Sequence, residues 1–248
     1  MATIGVFDSG SGGLSVLREI RKILPHERYL YYSDNAHCPY GEKAPDYIAD
    51  RGRAITRELM SRGAQAVVVA CNTATAAAIS TLRAEFPIPF VGMEPAVKPA
   101  ALGTRSGVIG VLATAGTLVS SKYLDNRGLY ESSVRIAERV GRGYVELVES
   151  LDLDSPHALE VVRSSLQPLL DEGADTIVLG CTHYPFLLPL MQKCAPPGVR
   201  FIDPAPAVAR RLQDVLSQAG IPTGSGPGSV ELLSSGPSGT MKQLFTLI

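Results

Sequence analysis

The sequence predicts an α/β protein of two similar lobes, each a mainly parallel sheet covered by helices, related by a pseudo-two-fold axis. Three observations carry this. β-rich runs alternate with helical patterns along all 248 residues. The strongest runs, Val67-Val68-Val69 and Ile177-Val178-Leu179, are continuously apolar, the pattern of strands buried on both faces. The chain also repeats itself. Gly63–Cys71 aligns with Gly173–Cys181 at an offset of 110 residues, and Phe90-Val91 with Pro95-Ala96-Val97 matches Phe201-Ile202 with Pro206-Ala207-Val208 at 111. Ile4–Ser9 resembles Ile109–Thr114 at 105. Three blocks in one order and at near-constant spacing indicate one plan used twice, and a period this long is not that of a solenoid.

In chain order, strands are expected at Thr3–Phe7, Arg28–Ser33, Ala66–Ala70, Pro89–Gly92, Ser106–Leu112, Thr176–Gly180, Arg200–Asp203 and Ser229–Leu233. The first helix, Leu14–Leu24, sets Leu14, Leu17, Ile20 and Leu24 on one face. Similar patterns place helices at Pro45–Arg62, Ala74–Glu85, Pro156–Glu172, Pro185–Cys194 and Ala207–Ala219. The Pro-, Ala- and Gly-rich segment Val97–Arg105 reads as a crossing between lobes. The Gly/Ser/Pro stretch Pro222–Gly228 reads as a surface loop.

Composition narrows the function. Lys and Arg number 23 against 24 Asp and Glu, a net charge of −1, so no basic nucleic-acid surface or polybasic membrane patch is expected. The first apolar run carries Asp8 and no basic leader, unlike a secretory signal. The run Val67–Ala78 is broken by Asn72, Thr73 and Thr75 and cannot serve as a membrane span. Four cysteines with no C-x-x-C pair read as reduced cytosolic thiols.

Ligands of open α/β sheets bind at the carboxyl ends of the strands. The repeat puts Cys71 and Cys181 at equivalent strand ends, one per lobe. Each is followed by a polar helix start, Asn72-Thr73-Ala74-Thr75 or Thr182-His183-Tyr184-Pro185. A thiol beside a helix N-terminus is biased toward the thiolate. A lone cysteine after an apolar strand is ordinarily a small core residue; a matched pair with polar flanks points to chemistry. Inverting a stereocentre needs a base on one face and an acid on the other, and two thiols tuned from ~8.5 can exchange those roles near neutrality. Asp8 and His183 are placed to assist the nearer thiols, although helix capping is an ordinary alternative for His183. The turn Asp8-Ser9-Gly10-Ser11-Gly12-Gly13 matches no nucleotide-binding motif, but its backbone can cradle a carboxylate, and Thr114 and Thr117 offer hydroxyls from the other lobe. These motifs contain no Lys or Arg, so a small acidic ligand would be held by N–H, hydroxyl and amide donors. Cys194 reads as core, and Cys38 as a non-catalytic neighbour.

Asp8-Ser9-Gly10-x-Gly12-Gly13, Pro39-Tyr40-Gly41, Cys71-Asn72-Thr73-Ala74, Val108–Thr114 and Gly180-Cys181-Thr182-His183 together resemble the bacterial glutamate racemase family, in its order and spacing over nearly the whole chain. The resemblance implies a cofactor-independent 1,1-proton transfer between L- and D-glutamate, supplying D-glutamate for peptidoglycan in the cytoplasm. It implies Cys71 and Cys181 as the acid/base pair. It lines the substrate site with Asp8, Ser9, Pro39, Tyr40, Gly41, Asn72, Thr73, Thr114, Thr117, Thr182 and His183. It further implies that the chain crosses between lobes and returns, giving domains 1–98 plus 207–248 and 99–206, and that a homodimer forms. One segment departs from the family: Arg139-Val140-Gly141-Arg142-Gly143 stands where many members carry a Cys-Pro pair.

Other readings compete. A racemase of the same design could act on aspartate or a hydantoin, since one methylene is worth only about 1–3 kcal/mol of discrimination. A hydrolase with Cys181 as nucleophile and His183 as base leaves Cys71 unexplained. A zinc site from Cys181, His183, His37 and Cys38 lacks the usual ligand spacing, so no metal is expected. Pyridoxal phosphate needs a Schiff-base lysine that these motifs do not supply. A pure amino-acid binder would not need both thiols.

Overall fold

A computed structural model describes residues 1–248. Its first sheet contains β1 (Thr3–Asp8), β2 (Arg28–Ser33), β3 (Ala66–Val69) and β4 (Phe90–Val91). The second contains β5 (Val108–Ala113), β6 (Arg135–Val140), β7 (Thr176–Gly180) and β8 (Arg200–Ile202). The last strand, β9 (Ser229–Ser234), returns to the first sheet. The strand orders are β4-β3-β1-β2-β9 and β6-β5-β7-β8, and every pairing is parallel. Read from its other edge, the second sheet is β8-β7-β5-β6. That is the order β4-β3-β1-β2 with each strand replaced by its repeat partner, so the two sheets share a four-strand core and β9 is an addition. β6 has no counterpart among the sequence-predicted strands. Its residues, Arg-Ile-Ala-Glu-Arg-Val, lie on an edge and are only partly buried, so they lack the apolar run that marks β3 and β7.

The helices are α1 (Leu14–Ile23), α2 (Pro45–Ser61), α3 (Asn72–Glu85), α4 (Val97–Gly103), α5 (Ala115–Leu118) and α6 (Ser121–Gly128). They continue with α7 (Tyr144–Glu149), α8 (Pro156–Asp171), α9 (Leu188–Cys194), α10 (Ala205–Gln218) and α11 (Gly239–Phe245). In α1 the predicted stripe Leu14, Leu17 and Ile20 is buried, and Arg21 and Lys22 in the last turn oppose the negative helix end. No helix is long and apolar enough to cross a membrane.

The core explains why the lobes close on one another. One apolar cluster runs from Val6, Leu17 and Tyr31 of the first lobe to Leu179, Tyr184 and Leu187 of the second, with Leu212 of α10 included. The outer faces have separate cores: Leu59, Val67 and Leu82 under α2 and α3, and Val97, Val111 and Val178 beneath α4. Burying an aliphatic side chain is worth about 1.5–3 kcal/mol, so the shared cluster also supports the alignment of the strand ends.

Candidate active site

In the first lobe, β1 and β3 lie side by side and deliver their following loops to the same edge. Cys71 is 5% exposed and caps α3: its Sγ accepts from Ala74 N–H at 3.4 Å and donates to Ser9 Oγ at 3.7 Å. Asp8 is fully buried, and its carboxylate accepts from Gly10 N–H at 3.0 Å. Its other oxygen accepts from Thr182 Oγ1 of the second lobe at 3.2 Å. The path Cys71–Ser9, Asp8–Thr182 thus leads from one predicted thiol to the residue beside the other.

In the second lobe, Cys181 is 7% exposed and its Sγ lies 3.8 Å from His183 Nδ1. His183 Nε2 lies 2.8 Å from Glu149 Oε1. Glu149 in turn accepts from Ser11 N–H at 2.6 Å and Ser11 Oγ at 3.0 Å, across the lobe boundary. Ser15 Oγ donates to Thr182 O at 2.8 Å. The chain at Gly12 passes so close to the imidazole that a Cβ there would lie 2.3 Å from His183 Nδ1. A predicted symmetry ends here. Cys71 caps a 14-residue α-helix, whereas Cys181 is followed by a turn and the short 3-10 segment Tyr184–Leu187.

The remaining predicted residues fall into two groups. Thr73 Oγ1 lies 2.9 Å from Thr114 Oγ1 and 3.3 Å from Thr117 Oγ1, while Thr114 and Thr117 are 2.9 Å apart, so three hydroxyls join the lobes. Asn72 is 4% exposed, and neither its amide nitrogen nor its oxygen has a hydrogen-bond partner in the protein. Buried amides are ordinarily paired, so this donor and acceptor are free to bind a small polar molecule or water. Pro39, Gly41 and Thr114 wall a cavity of about 290 Å³ that Tyr184 also lines. Gly41 and Thr73 wall a second of about 560 Å³ against Ala115 and Gly116. Neither is lined by Cys71 or Cys181. Tyr40 is buried. Its hydroxyl donates to Asp34, which also accepts two bonds from Arg51, so that hydroxyl braces the loop.

The electrostatics differ from the simple helix-end argument. Burial pushes the Cys71 thiol up, and the charge of Asp8 adds to it; the Ala74 N–H and Ser9 oppose this without prevailing. In the free protein Cys71 therefore holds its proton. Burial likewise raises Asp8, with the charge of His183 partly offsetting it. For His183, burial works against the charged ring, but bonds to Cys181 and Glu149 and the charge of Asp8 outweigh it, holding the ring well above the ordinary imidazole range. Its Nε2 faces the Glu149 carboxylate, which can only accept, so Nε2 carries the proton of that bond. Glu149 is held low because the His183 and Ser11 bonds outweigh its own burial.

Glu149 and Ser11 were not among the predicted site residues. Glu149 sits in the last turn of α7, where the helix dipole disfavours an acid. That misfit is the one sequence signal that points to a cationic partner. Segment 139–143 finishes β6 and turns into α7: Gly141 N–H donates to Ala113 O at 3.2 Å, and Tyr184 Oη donates to Gly141 O at 3.4 Å. The helix ends with Leu151 at φ +63°, its N–H bonded to Val148 O and that of Asp152 to Leu147 O. This cap ordinarily carries glycine.

Two parallel-sheet lobes, closed at their strand ends over buried thiols, hydroxyls and an imidazole, define an amino-acid racemase, an isomerase. Residues 4–212 match the Asp/Glu/Hydantoin racemase family. The chain belongs to that family. It is 54% identical over 218 residues to glutamate racemase of Ectopseudomonas mendocina, covering 88% of this chain and 83% of that one. It is 48% identical over 248 residues to glutamate racemase of Stutzerimonas stutzeri, covering 100% and 94%. Escherichia coli glutamate racemase, solved in complex with L-glutamate and the activator UDP-MurNAc-ala, superposes with a TM-score of 0.88 at 35% identity, covering 99% of this chain and 93% of that one.

Proposed function

We propose that this protein interconverts L- and D-glutamate by two-base proton transfer at the α-carbon, with Cys71 and Cys181 as the two acid/base groups. The observation that supports it most is the pair of repeat-equivalent buried thiols, one per lobe, connected through Ser9, Asp8 and Thr182. Relatives bearing the glutamate racemase name at about half identity support the choice of substrate.

In the forward step, one cysteine as thiolate takes the α-proton and leaves its electron pair on the α-carbon. The other, as thiol, delivers a proton to the opposite face. The first thiol and second thiolate that result are the starting state for the reverse direction. Asp8 and Ser9 assist Cys71, while His183, oriented by Glu149, supplies and accepts charge beside Cys181. Thr182 bridges the two sides. Asn72, Thr73, Thr114 and Thr117, with the backbone of Pro39, Tyr40 and Gly41, hold the substrate's carboxylates and ammonium. Binding an ammonium beside Cys71 offsets the burial and the Asp8 charge that keep that thiol protonated.

The same reading divides the chain into 1–98 with 207–248 and 99–206. It places the protein in the cytoplasm, where free thiols stay reduced and D-glutamate is drawn into peptidoglycan synthesis, and it takes the protein to be a homodimer.

The test is L-glutamate with purified protein in D2O and no added cofactor, following optical rotation and loss of the α-proton signal. L-Aspartate runs in parallel, with Cys71→Ser and Cys181→Ser as controls. Racemisation with deuterium incorporation, selective for glutamate and lost in both variants, is expected. Folded protein that neither exchanges nor rotates either acid overturns the reading, and equal rates on both acids overturn the substrate.

A further inference from the structure

The zinc set considered from the sequence does not assemble: His37 faces the Tyr47 hydroxyl and is not among the clustered ligand groups. A different set does. Cys38 Sγ, one carboxylate oxygen of Glu149 and one ring nitrogen of His183 lie within 4.8 Å of one another. A second geometric fact places two of them over the same backbone. A Cβ at Gly10 would be 2.3 Å from Glu149 Oε1 and 3.0 Å from Cys38 Sγ, so only the missing side chain of Gly10 lets them converge there.

We propose that Cys38, Glu149 and His183 form an inhibitory site for a thiophilic divalent cation of the Zn2+ class. Sulfur, imidazole and carboxylate are the three ligand types Zn2+ takes, and three protein ligands leave a fourth position for water or a substrate atom. The three ligand atoms already stand close enough that small side-chain shifts bring them to tetrahedral spacing. Ser11, bonded to both carboxylate oxygens, holds Glu149 in place as an outer-shell support. Binding displaces the Cys38 thiol proton and the Nε2 proton of His183 to solvent. Nε2 then belongs to the metal, Nδ1 stays tied to Cys181, and the ring no longer exchanges charge with Glu149. Turnover stops. This last consequence rests on the racemase reading; the binding itself does not.

The experiment titrates chelator-stripped full-length protein with Zn2+ against a chromogenic chelator, reads thiolate ligation in the Co2+ spectrum, and follows racemisation in parallel. A single tight site is expected, with the thiolate-to-cobalt band and loss of turnover appearing together. Cys38→Ser should weaken binding by at least about tenfold and remove the band, while the metal-free variant turns over like the parent. Cys38→Ala gives the same comparison should serine disturb the half-buried position. Cys71→Ser should retain the band. Undiminished Zn2+ affinity in Cys38→Ser and Cys38→Ala overturns the site. Loss of the band in Cys71→Ser also overturns it, since the metal then sits between the two thiols. A failed racemase reading shows instead as a metal-free parent without turnover, with the binding data intact.

Discussion

The two strand ends occupy equivalent places in one repeated plan, yet their thiols have different company. Cys71 caps α3 and faces a serine and a buried carboxylate, with no cation beside it. Cys181 has no long helix to cap and faces an imidazole whose pKa is raised by its bonds to Cys181 itself and to Glu149. A repeated fold therefore positions two similar groups, but substitutions around them settle what each can do with a proton. A stereocentre presents two unlike faces, and an asymmetric pair of partners suits it better than two copies of one site.

The largest effect breaks both sides at once. Cys71→Ser and Cys181→Ser should each lower racemisation by at least about 10²–10⁴-fold, the range for a positioned acid/base group. Loss in only one variant, measured by optical rotation, would reduce the pair to a single functional thiol.

Gly12→Ala attacks only the second side. Its new methyl would stand 2.3 Å from His183 Nδ1 and must move the ring off Cys181. Overpacking of this kind costs about 1–3 kcal/mol. The variant should lose activity while keeping both thiols titratable by a thiol reagent; wild-type kcat in Gly12→Ala would show that the imidazole contributes nothing.

Glu149→Gln sharpens the electrostatic difference and should cost about 1.5–3 kcal/mol, as for hydrogen bonds to charged groups. Its pH dependence has a defined shape. The Glu149 carboxyl is lowered in the folded protein, its burial outweighed by the His183 and Ser11 bonds. Its contribution is therefore present above the ordinary value of ~4.3 and lost as pH falls through the lowered one. The His183 ring is raised, its burial outweighed by the bonds to Cys181 and Glu149. Its contribution is full below ~6.5 and lost as pH rises through the raised value. The stability difference between parent and variant, from urea unfolding, should peak between these ordinary values and shrink on both sides. A difference independent of pH would mean that the two groups are not a charged pair.

The smallest effect on stability is expected at Asn72. Its amide has no protein partner to lose, so Asn72→Ala should shift stability by no more than about 0.5 kcal/mol. It should raise KM for the substrate more than it lowers kcat. A large drop in Tm with unchanged KM would make Asn72 a structural residue of the first side only.

What could be read in the sequence follows the same division. β3 and β7 announce themselves because both faces are buried, and the repeat carries their equivalence to Cys71 and Cys181. β6 is silent because a half-exposed edge strand mixes Arg and Glu into its pattern. Glu149 is silent for another reason. It lies 34 residues before the imidazole it holds, in the short helix α7, and only folding brings the two together. Local pattern found the groups tied to strand ends; it could not find a partner supplied from a neighbouring helix.

β9 carries a consequence for biosynthesis. The strands of the second lobe all lie within one stretch, Val108–Ile202, whereas the first sheet receives its edge strand only from Ser229–Ser234. As the chain leaves the ribosome from its N-terminus, β2 waits with one side unpaired until β9, far downstream of the second lobe, has emerged. Its Arg-Tyr-Leu-Tyr-Tyr-Ser sequence is rich in β-forming aromatics. A nascent or prematurely ended chain therefore displays a sticky template where the finished protein has a closed seam, and arrested synthesis should leave aggregates nucleated at β2.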